Sequence, residues 1–446
     1  MTTAETTAGI APENVHATLK NWILVDGYPL VCDLAASKGA QLVDSRSGKT
    51  YLDFFGCFGS TPIGWNPDCL QDPAFLEYAR TSVINRPANS DLYTSEMATF
   101  VKSFGENLAP KGFKHSFFID GGALAVENAL KVAFDWKVRR NRSKGVDSDV
   151  GTKALHFRHA FHGRSGYTMS LTNTDPNKVN YFPKFDWPRV DSPALTFPLT
   201  EENLAAVREG EEESLKQIDS AFDQHGDNIA CIIIEPIQAE GGDRHFRPEF
   251  MQALQARCER HDCLFIVDEV QTGFWASGKT WCHEHHNVQP DIIVFGKKSQ
   301  QCGILCGEKI DLVPDNVFEM SSRINSTWGG NLVDMIRSTH IIQEVVAKDL
   351  GGNATNRGQQ WLDGMNKLAA SHDGFVSNVR GVGLIMGFDL PNSDARDACL
   401  SGMMEAGLMG LSCGTQTVRF RPHLAISGED VELCLEKTAV ALQGIA

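Results

Sequence analysis

From about residue 66 to residue 331 the chain alternates short apolar, β-branched runs with longer stretches of helical periodicity. That alternation predicts a mainly parallel sheet with crossover helices. The expected strands are residues 115–119, 153–157, 229–234, 264–270 and 291–295. Residues 264–267 and 292–295 are unbroken apolar runs of the kind that fills a buried parallel strand. Ahead of this region the pattern predicts a helix over 15–24 and extended segments that end in a turn-rich stretch at 56–67. Behind it come a long helical pattern over 332–347, extended segments at 381–389 and 417–420, and a terminal helix from Gly428. The expected organisation is a large domain over 66–331, with 1–65 as the N-terminal segment of a small domain and 332–446 as its C-terminal α+β part. Stretches 208–213 and 348–352 read as surface loops or helix ends. The acidic run of Glu209 and Glu211 to Glu213 reads as a solvated face.

Two of the strands end on charge. Residues 264–274 read LFIVDEVQTGF and residues 291–298 read DIIVFGKK, so one strand delivers Asp268 and Glu269 and the other Lys297 and Lys298. In an open α/β sheet, ligands bind at that end of the strands. A carboxylate and an amine in one crevice are what pyridoxal phosphate needs, Lys for covalent attachment and Asp for the pyridinium nitrogen. A surface Asp and a surface Lys that happen to follow two strands are the plainer alternative, and other loops must decide.

Those loops lie after strands too. DGGALAVENALK, residues 120–131, opens a helix after HSFFI, and Gly121 and Gly122 let free N–H groups at the helix start form an anion site. Neither nucleotide-binding glycine fingerprint occurs there, so a cofactor phosphate is the better use of this turn. HAFHGRSGY, 159–167, offers Phe161 for stacking on a planar ring and Arg164 as a bidentate fork for a carboxylate. IIIEPIQAEGGD, 232–243, carries Glu235, Gln238, Glu240 and Asp243, of which at least one should face the site. NSTWGGN, 325–331, suits a phosphate-contacting turn through Thr327. VRFRP, 418–422, sets Arg419 and Arg421 on one side of a strand and Phe420 on the other.

Bulk properties narrow the partners. At 446 residues, 42% of them hydrophobic, the chain can build two sizeable cores. A net charge of -15 gives no footprint for nucleic acid or an anionic membrane, which points to a small ligand. The first fifteen residues have neither a basic start nor an apolar core, and no apolar run approaches membrane-spanning length, so a cytoplasmic location is expected. The twelve Cys read as reduced and mostly buried thiols. A metal site from Cys282, His283, His285 and His286, with Cys302 and Cys306, is a weaker reading because the spacing matches zinc ligation poorly. No metal is expected.

DEVQTGF, FGKK, FHGRSG and the late Arg occur in an order that resembles the class III aminotransferases, which are fold-type-I pyridoxal-phosphate enzymes. The likeness runs essentially the whole length, from YLDFF at Tyr51 to VRFRP. It implies an α/β fold whose large domain holds a mainly parallel seven-stranded sheet beside a smaller α+β domain. It implies that Lys297 binds pyridoxal 5′-phosphate and moves the reaction's proton, while Asp268 keeps the pyridine nitrogen protonated. Phe161 and Val270 would sandwich the ring, Gln271 would contact its phenolic oxygen, and Gly122 and Ala123 would hold the phosphate. Thr327 would reach the phosphate of the partner subunit, which implies a homodimer with shared active sites.

The family's phosphate turn usually carries hydroxyls and a Glu, as in S-G-T-E-A, whereas this chain reads Gly121-Gly122-Ala123-Leu124-Ala125. That departure puts more of the phosphate's binding on backbone N–H groups and on Thr327. The variant segments FPKFDWPR at 182–189, EGGDRHFRPEF at 240–250 and KKSQQCG at 297–303 narrow the implied amino donor to L-lysine, with 2-oxoglutarate as acceptor and L-glutamate as product. On this likeness Glu240 pairs with Arg419 while lysine is bound and swings away for glutamate. Arg164 holds the far carboxylate of either substrate, and Asn325 helps orient that end. Ornithine, 4-aminobutyrate or diaminobutyrate as donor would use the same cofactor residues. Phe58 and Trp65 are bulky enough to shorten the distal pocket.

Overall fold

The seven strands of the main sheet are β1 (Phe113–Ile119), β2 (Lys153–Phe157), β3 (Arg189–Val190), β4 (Ile229–Ile234), β5 (Leu264–Asp268), β6 (Ile292–Phe295) and β7 (Cys302–Gly307), in the spatial order β1-β7-β6-β5-β4-β2-β3. This is a computed structural model, and it describes residues 9–146, 149–372 and 374–445. The first eight residues of the expected N-terminal segment and the last residue of the C-terminal one lie outside these. β7 runs antiparallel to β1 and β6; the remaining pairings are parallel.

The apolar runs explain why the sheet is covered on both faces. In β5, Leu264 and Ile266 join a core with Ala129, Leu130 and Val132 of α1 (Gly122–Ser143), while Phe265 and Val267 join a second core with Phe250, Met251 and Leu254 of the helix Pro248–Arg260. Alternate side chains leave a strand in opposite directions, so an unbroken apolar run feeds both layers.

A four-stranded antiparallel sheet forms the second layer: Ser377–Val382, Ile385–Asp389, Thr417–Phe420 and Leu411–Cys413. The extended stretch expected at 381–389 spans the end of one hairpin strand, a turn at Gly383, where φ is 55°, and the whole of the next strand. Gln41–Val43 and Thr50–Asp53 pair with each other, and Leu408–Met409 adds to them in parallel, so N- and C-terminal segments share a sheet. The helix Leu332–Ala347 and the terminal helix Gly428–Gln443 lie where the periodicity predicts them.

Two expectations are corrected. The helix expected over 15–24 stops at Lys20, and Trp22, Ile23 and Leu24 stand exposed beyond it. Residues 208–213 lie inside the long helix Glu201–His225, and Glu211 is buried against Arg247, its Oε1 accepting from Nε at 3.0 Å. The rest of the acidic run faces outward; Glu211 differs because its turn of the helix meets the chain entering the next one. Among the described residues no helix is long and apolar enough to cross a membrane.

Candidate active site

Where the C-terminal ends of β1, β4, β5 and β6 meet the loop 57–71, a cavity of about 1040 Å³ opens. Gly122, Ala123, Phe161, Arg164, Glu240, Asp268, Val270, Gln271 and Lys297 all line it. The topology accounts for this convergence: β4, β5 and β6 are adjacent and parallel, so their ends open on one edge.

Lys297 sits on the turn between β6 and β7 with a positive φ of 53°, held by the Lys297 carbonyl accepting from the backbone N–H of Gln300 at 2.8 Å. Enclosure lowers its pKa; the charges of Asp268 and Glu235 oppose that shift and those of Arg419 and Arg421 add to it. Asp268 is buried at the end of β5, where Oδ2 is 2.7 Å from His162 Nδ1 and Oδ1 accepts from the Val270 N–H at 3.0 Å. Burial pulls the His162 pKa down, but the hydrogen bond and charge of Asp268 outweigh it and the net direction is up. Glu235 lies beside this pair, accepts from the Phe161 N–H at 2.9 Å, and is pushed up to about 7 by burial.

The turn into α1 is shaped by lack of bulk. Gly121 has φ 98°, a Cβ on Gly122 would stand 2.9 Å from Val270 Cγ1, and one on Gly163 would stand 2.4 Å from the Ala123 methyl. Only small residues let the 161–168 loop close on the helix start. Glu127, one turn further along α1, pins that loop by accepting from Ser165 Oγ and the Tyr167 N–H, each at 2.7 Å.

The small sheet brings two arginines up behind the lining residues Glu240 and Gln271, and neither arginine itself lines the cavity. Arg419 is buried, with Nη2 2.6 Å from Glu240 Oε2 and Nη1 3.0 Å from Gln271 Oε1. Arg421 Nε donates to the same Gln271 oxygen at 3.0 Å and its guanidinium pairs with buried Asp243. Gln271 thus ties two arginines to the strand that carries Asp268. Burial raises the Glu240 pKa, but the charges of Arg419 and Lys178 outweigh it, so the net direction is down.

Several sequence candidates go elsewhere. Glu269 points away from the cavity, accepting from Thr272 Oγ1 at 2.6 Å and from the backbone N–H groups of Cys282 at 3.0 Å and His283 at 2.7 Å. Lys298 donates to the carbonyls of Pro422 at 2.8 Å and Thr61 at 3.1 Å. Adjacent residues on a turn leave it in different directions, which is why one of each pair is at the site and the other is not. Gln238 is spent on the Arg158 carbonyl at 2.8 Å. Trp65 lines the cavity and donates to Asp53 Oδ2 at 2.8 Å, whereas Phe58 is half exposed and packs on Phe55. Asn325 and Thr327 are exposed on a surface loop outside this chain's cavity. The Cys/His cluster is dispersed: His283 Nδ1 lies 3.0 Å from Glu269, His285 Nε2 lies 3.1 Å from the Ser277 carbonyl, and Cys302 alone of the set lines the cavity. Among the described residues no group of His, Cys, Asp and Glu is arranged to hold a metal.

Sequence reasoning missed His162 and Lys178. His162 is adjacent to Phe161 in the HAFHGRSGY segment, but its partner is 106 residues away and nothing in the sequence pairs them.

These residues fit a phosphorylated pyridine. A helix start with little side-chain bulk could take the phosphate, Phe161 and Val270 both line the cavity, and the buried carboxylate of Asp268, oriented by His162, could hold a ring N–H. Comparison with known proteins agrees. The model of the family "Aminotransferase class-III" matches residues 24–442. The L-lysine-epsilon aminotransferase of Amycolatopsis lactamdurans is 46% identical, over 99% of this chain and 98% of its own length. The 4-aminobutyrate aminotransferase of Schizosaccharomyces pombe is 33% identical over 91% of this chain and 88% of its own. A solved structure of lysine aminotransferase from M. tuberculosis superposes with a TM-score of 0.96 at 44% identity, covering 98% of this chain and all of the other. The chain belongs to the class III aminotransferase family.

Proposed function

We propose that this enzyme transfers the terminal amino group of L-lysine to 2-oxoglutarate, giving 2-aminoadipate 6-semialdehyde and L-glutamate. The observation that carries the reading is that Glu240, a residue of the cavity wall, pairs at 2.6 Å with the buried Arg419 and so covers it. The reaction must accept two unlike substrates at one centre. Glutamate has a carboxylate beside its reacting carbon and needs a cation there; lysine reacts at a terminal CH₂ and would leave that buried cation bare, at a cost of several kcal/mol. Glu240 covers Arg419 for lysine and gives way to the α-carboxylate of glutamate. The full-length likeness to L-lysine-epsilon aminotransferases supports lysine over the other ω-amino donors.

Pyridoxal 5′-phosphate, when bound, supplies a carbonyl that condenses with amines and a ring that accepts the electron pair of the broken C–H bond. Lys297 would hold it through Nζ, and its lowered pKa favours the free amine that takes the proton from the donor's terminal carbon and returns one to the acceptor's. Asp268 would keep the ring nitrogen protonated, and Phe161 and Val270 would pack against the ring. Gly122 and Ala123 offer N–H groups to the phosphate. Arg164 binds the far carboxylate of each substrate.

A homodimer with shared sites fits the surface. Val83, Ile84, Leu92 and Tyr93 are exposed, and Trp328 stacks on Arg86 in the loop that carries Asn325 and Thr327. That loop would serve the partner's cavity, with Thr327 on its phosphate and Asn325 at its substrate. Residues 66–331 then act as the cofactor-holding domain, and 1–65 with 332–446 as the smaller one, a division supported by the shared N- and C-terminal sheet. All twelve cysteines are free thiols, which supports a cytoplasmic setting.

The test is Glu240→Ala, followed by single-turnover absorbance with each amino donor. The glutamate half-reaction should be retained and the lysine half-reaction should weaken. Equal losses in both, or ornithine turning over faster than lysine in the native enzyme, would overturn the assignment.

A further inference from the structure

Resting on the lysine reading, we infer that Lys178 is a positioning residue for the acceptor half-reaction: it keeps the Glu240 carboxylate paired after that carboxylate leaves Arg419. Glu240 bridges two cations, with Oε2 2.6 Å from Arg419 Nη2 and Oε1 2.5 Å from Lys178 Nζ. The arrangement is asymmetric. Arg419 is buried and further tied to Gln271, whereas Lys178 stands on the short turn Pro176–Val179 with about a quarter of its side chain exposed and its ammonium 5.7 Å from the Phe161 ring centre. Lys178 does not line the cavity, and its link to the wall runs through Glu240.

The backbone at Glu240 is fixed. Its carbonyl accepts from the Gly414 N–H at 3.0 Å, and a Cβ on the next residue, Gly241, would lie 2.1 Å from the His159 carbonyl oxygen. Opening therefore has to be a side-chain rotation about a pinned backbone, with Lys178 already in contact on the outer side. When a substrate carboxylate takes Arg419, the displaced Glu240 retains its bond to Lys178 and no charge is left unpaired in the wall. Without Lys178, Arg419 becomes the sole partner of Glu240. The pair then holds more tightly, and the acceptor must break it with nothing to receive the carboxylate.

The experiment uses the holoenzyme and the variants Lys178→Met and Lys178→Arg, assayed for the Michaelis constants of the keto-acid acceptor and of L-lysine and for the single-turnover rate with each amino donor. Lys178→Met should raise the acceptor's Michaelis constant about tenfold relative to that for lysine, the effect of one charge-assisted hydrogen bond. Lys178→Arg should restore most of the difference. In a Glu240→Ala background the Lys178→Met change should have no further effect on that ratio. A proportional loss in both half-reactions, or the same shift with Glu240 already removed, would overturn the inference. The two levels separate cleanly. If Glu240→Ala splits the half-reactions and Lys178→Met does not, this inference alone falls. If Glu240→Ala affects both alike, the lysine reading falls with it.

Discussion

The ends of β5 and β6 each carry two neighbouring charged residues, and the structure sorts both pairs the same way. Asp268 and Lys297 line the cavity; Glu269 and Lys298 are bonded into the frame behind it. The framework members are the better satisfied. Glu269 holds the 3₁₀ turn Cys282–His286 through backbone N–H groups, and Lys298 joins the loop at Thr61 to the segment at Pro422, so it fastens the small sheet to the lysine-bearing turn. Chemistry and anchorage are thus assigned to adjacent residues, and a substitution in one should not look like a substitution in the other.

The largest test is Lys297→Ala. Turnover should fall by roughly 10⁴-fold, the upper range for losing a proton-transfer group, and the absorbance of covalently held cofactor should vanish. Survival of that absorbance through Lys298 would erase the distinction. Next, Asp268→Asn should lower kcat roughly 10²–10³-fold, as removal of an oriented charge from a reacting centre does, with little change in unfolding. Glu269→Gln should do the reverse: about 2 kcal/mol less stability in urea unfolding, because an amide NH₂ would face N–H donors, and half-reaction rates within about threefold of native. Inactivity of this variant in the folded state would place Glu269 in the chemistry after all.

The subtlest effect is a pH dependence at Lys298. Burial, with the Arg421 charge added, lowers its pKa to about 7. The folded protein has therefore released a proton that the unfolded chain, near the ordinary lysine value, still holds. Stability contributed at this position is present above the unfolded pKa and is lost as pH falls toward 7. Lys298→Met should flatten that part of the profile, measured as the native-minus-variant difference in urea midpoint between about pH 10 and pH 7. A constant difference would mean that Lys298 stays charged when folded.

Much of the fold was legible along the chain because apolar periodicity is a local property. Lys153–Phe157 and Ile229–Ile234 have the expected bounds; β5 stops two residues early, where the chain turns to the site at Asp268, and β6 begins one residue late, after Asp291 at the far end of the strand. Glu211 shows the limit. Its neighbours in an acidic run are solvated, and only the approach of Arg247 from another helix makes it a buried ion pair. The sorting of Glu269 from Asp268 had no local signal either, since both are carboxylates at one strand end.

The sequence by itself determined the parallel sheet, the edge at which charge collects, and the glycines of the phosphate turn, because each follows from residue type and spacing along a few consecutive positions. Tertiary structure alone decided that His162 orients Asp268, that Gln271 joins Arg419 to Arg421, and that Glu240 lies between Arg419 and Lys178. Those contacts join positions tens to hundreds of residues apart, and such distances close only when the sheet edges and the two layers have packed.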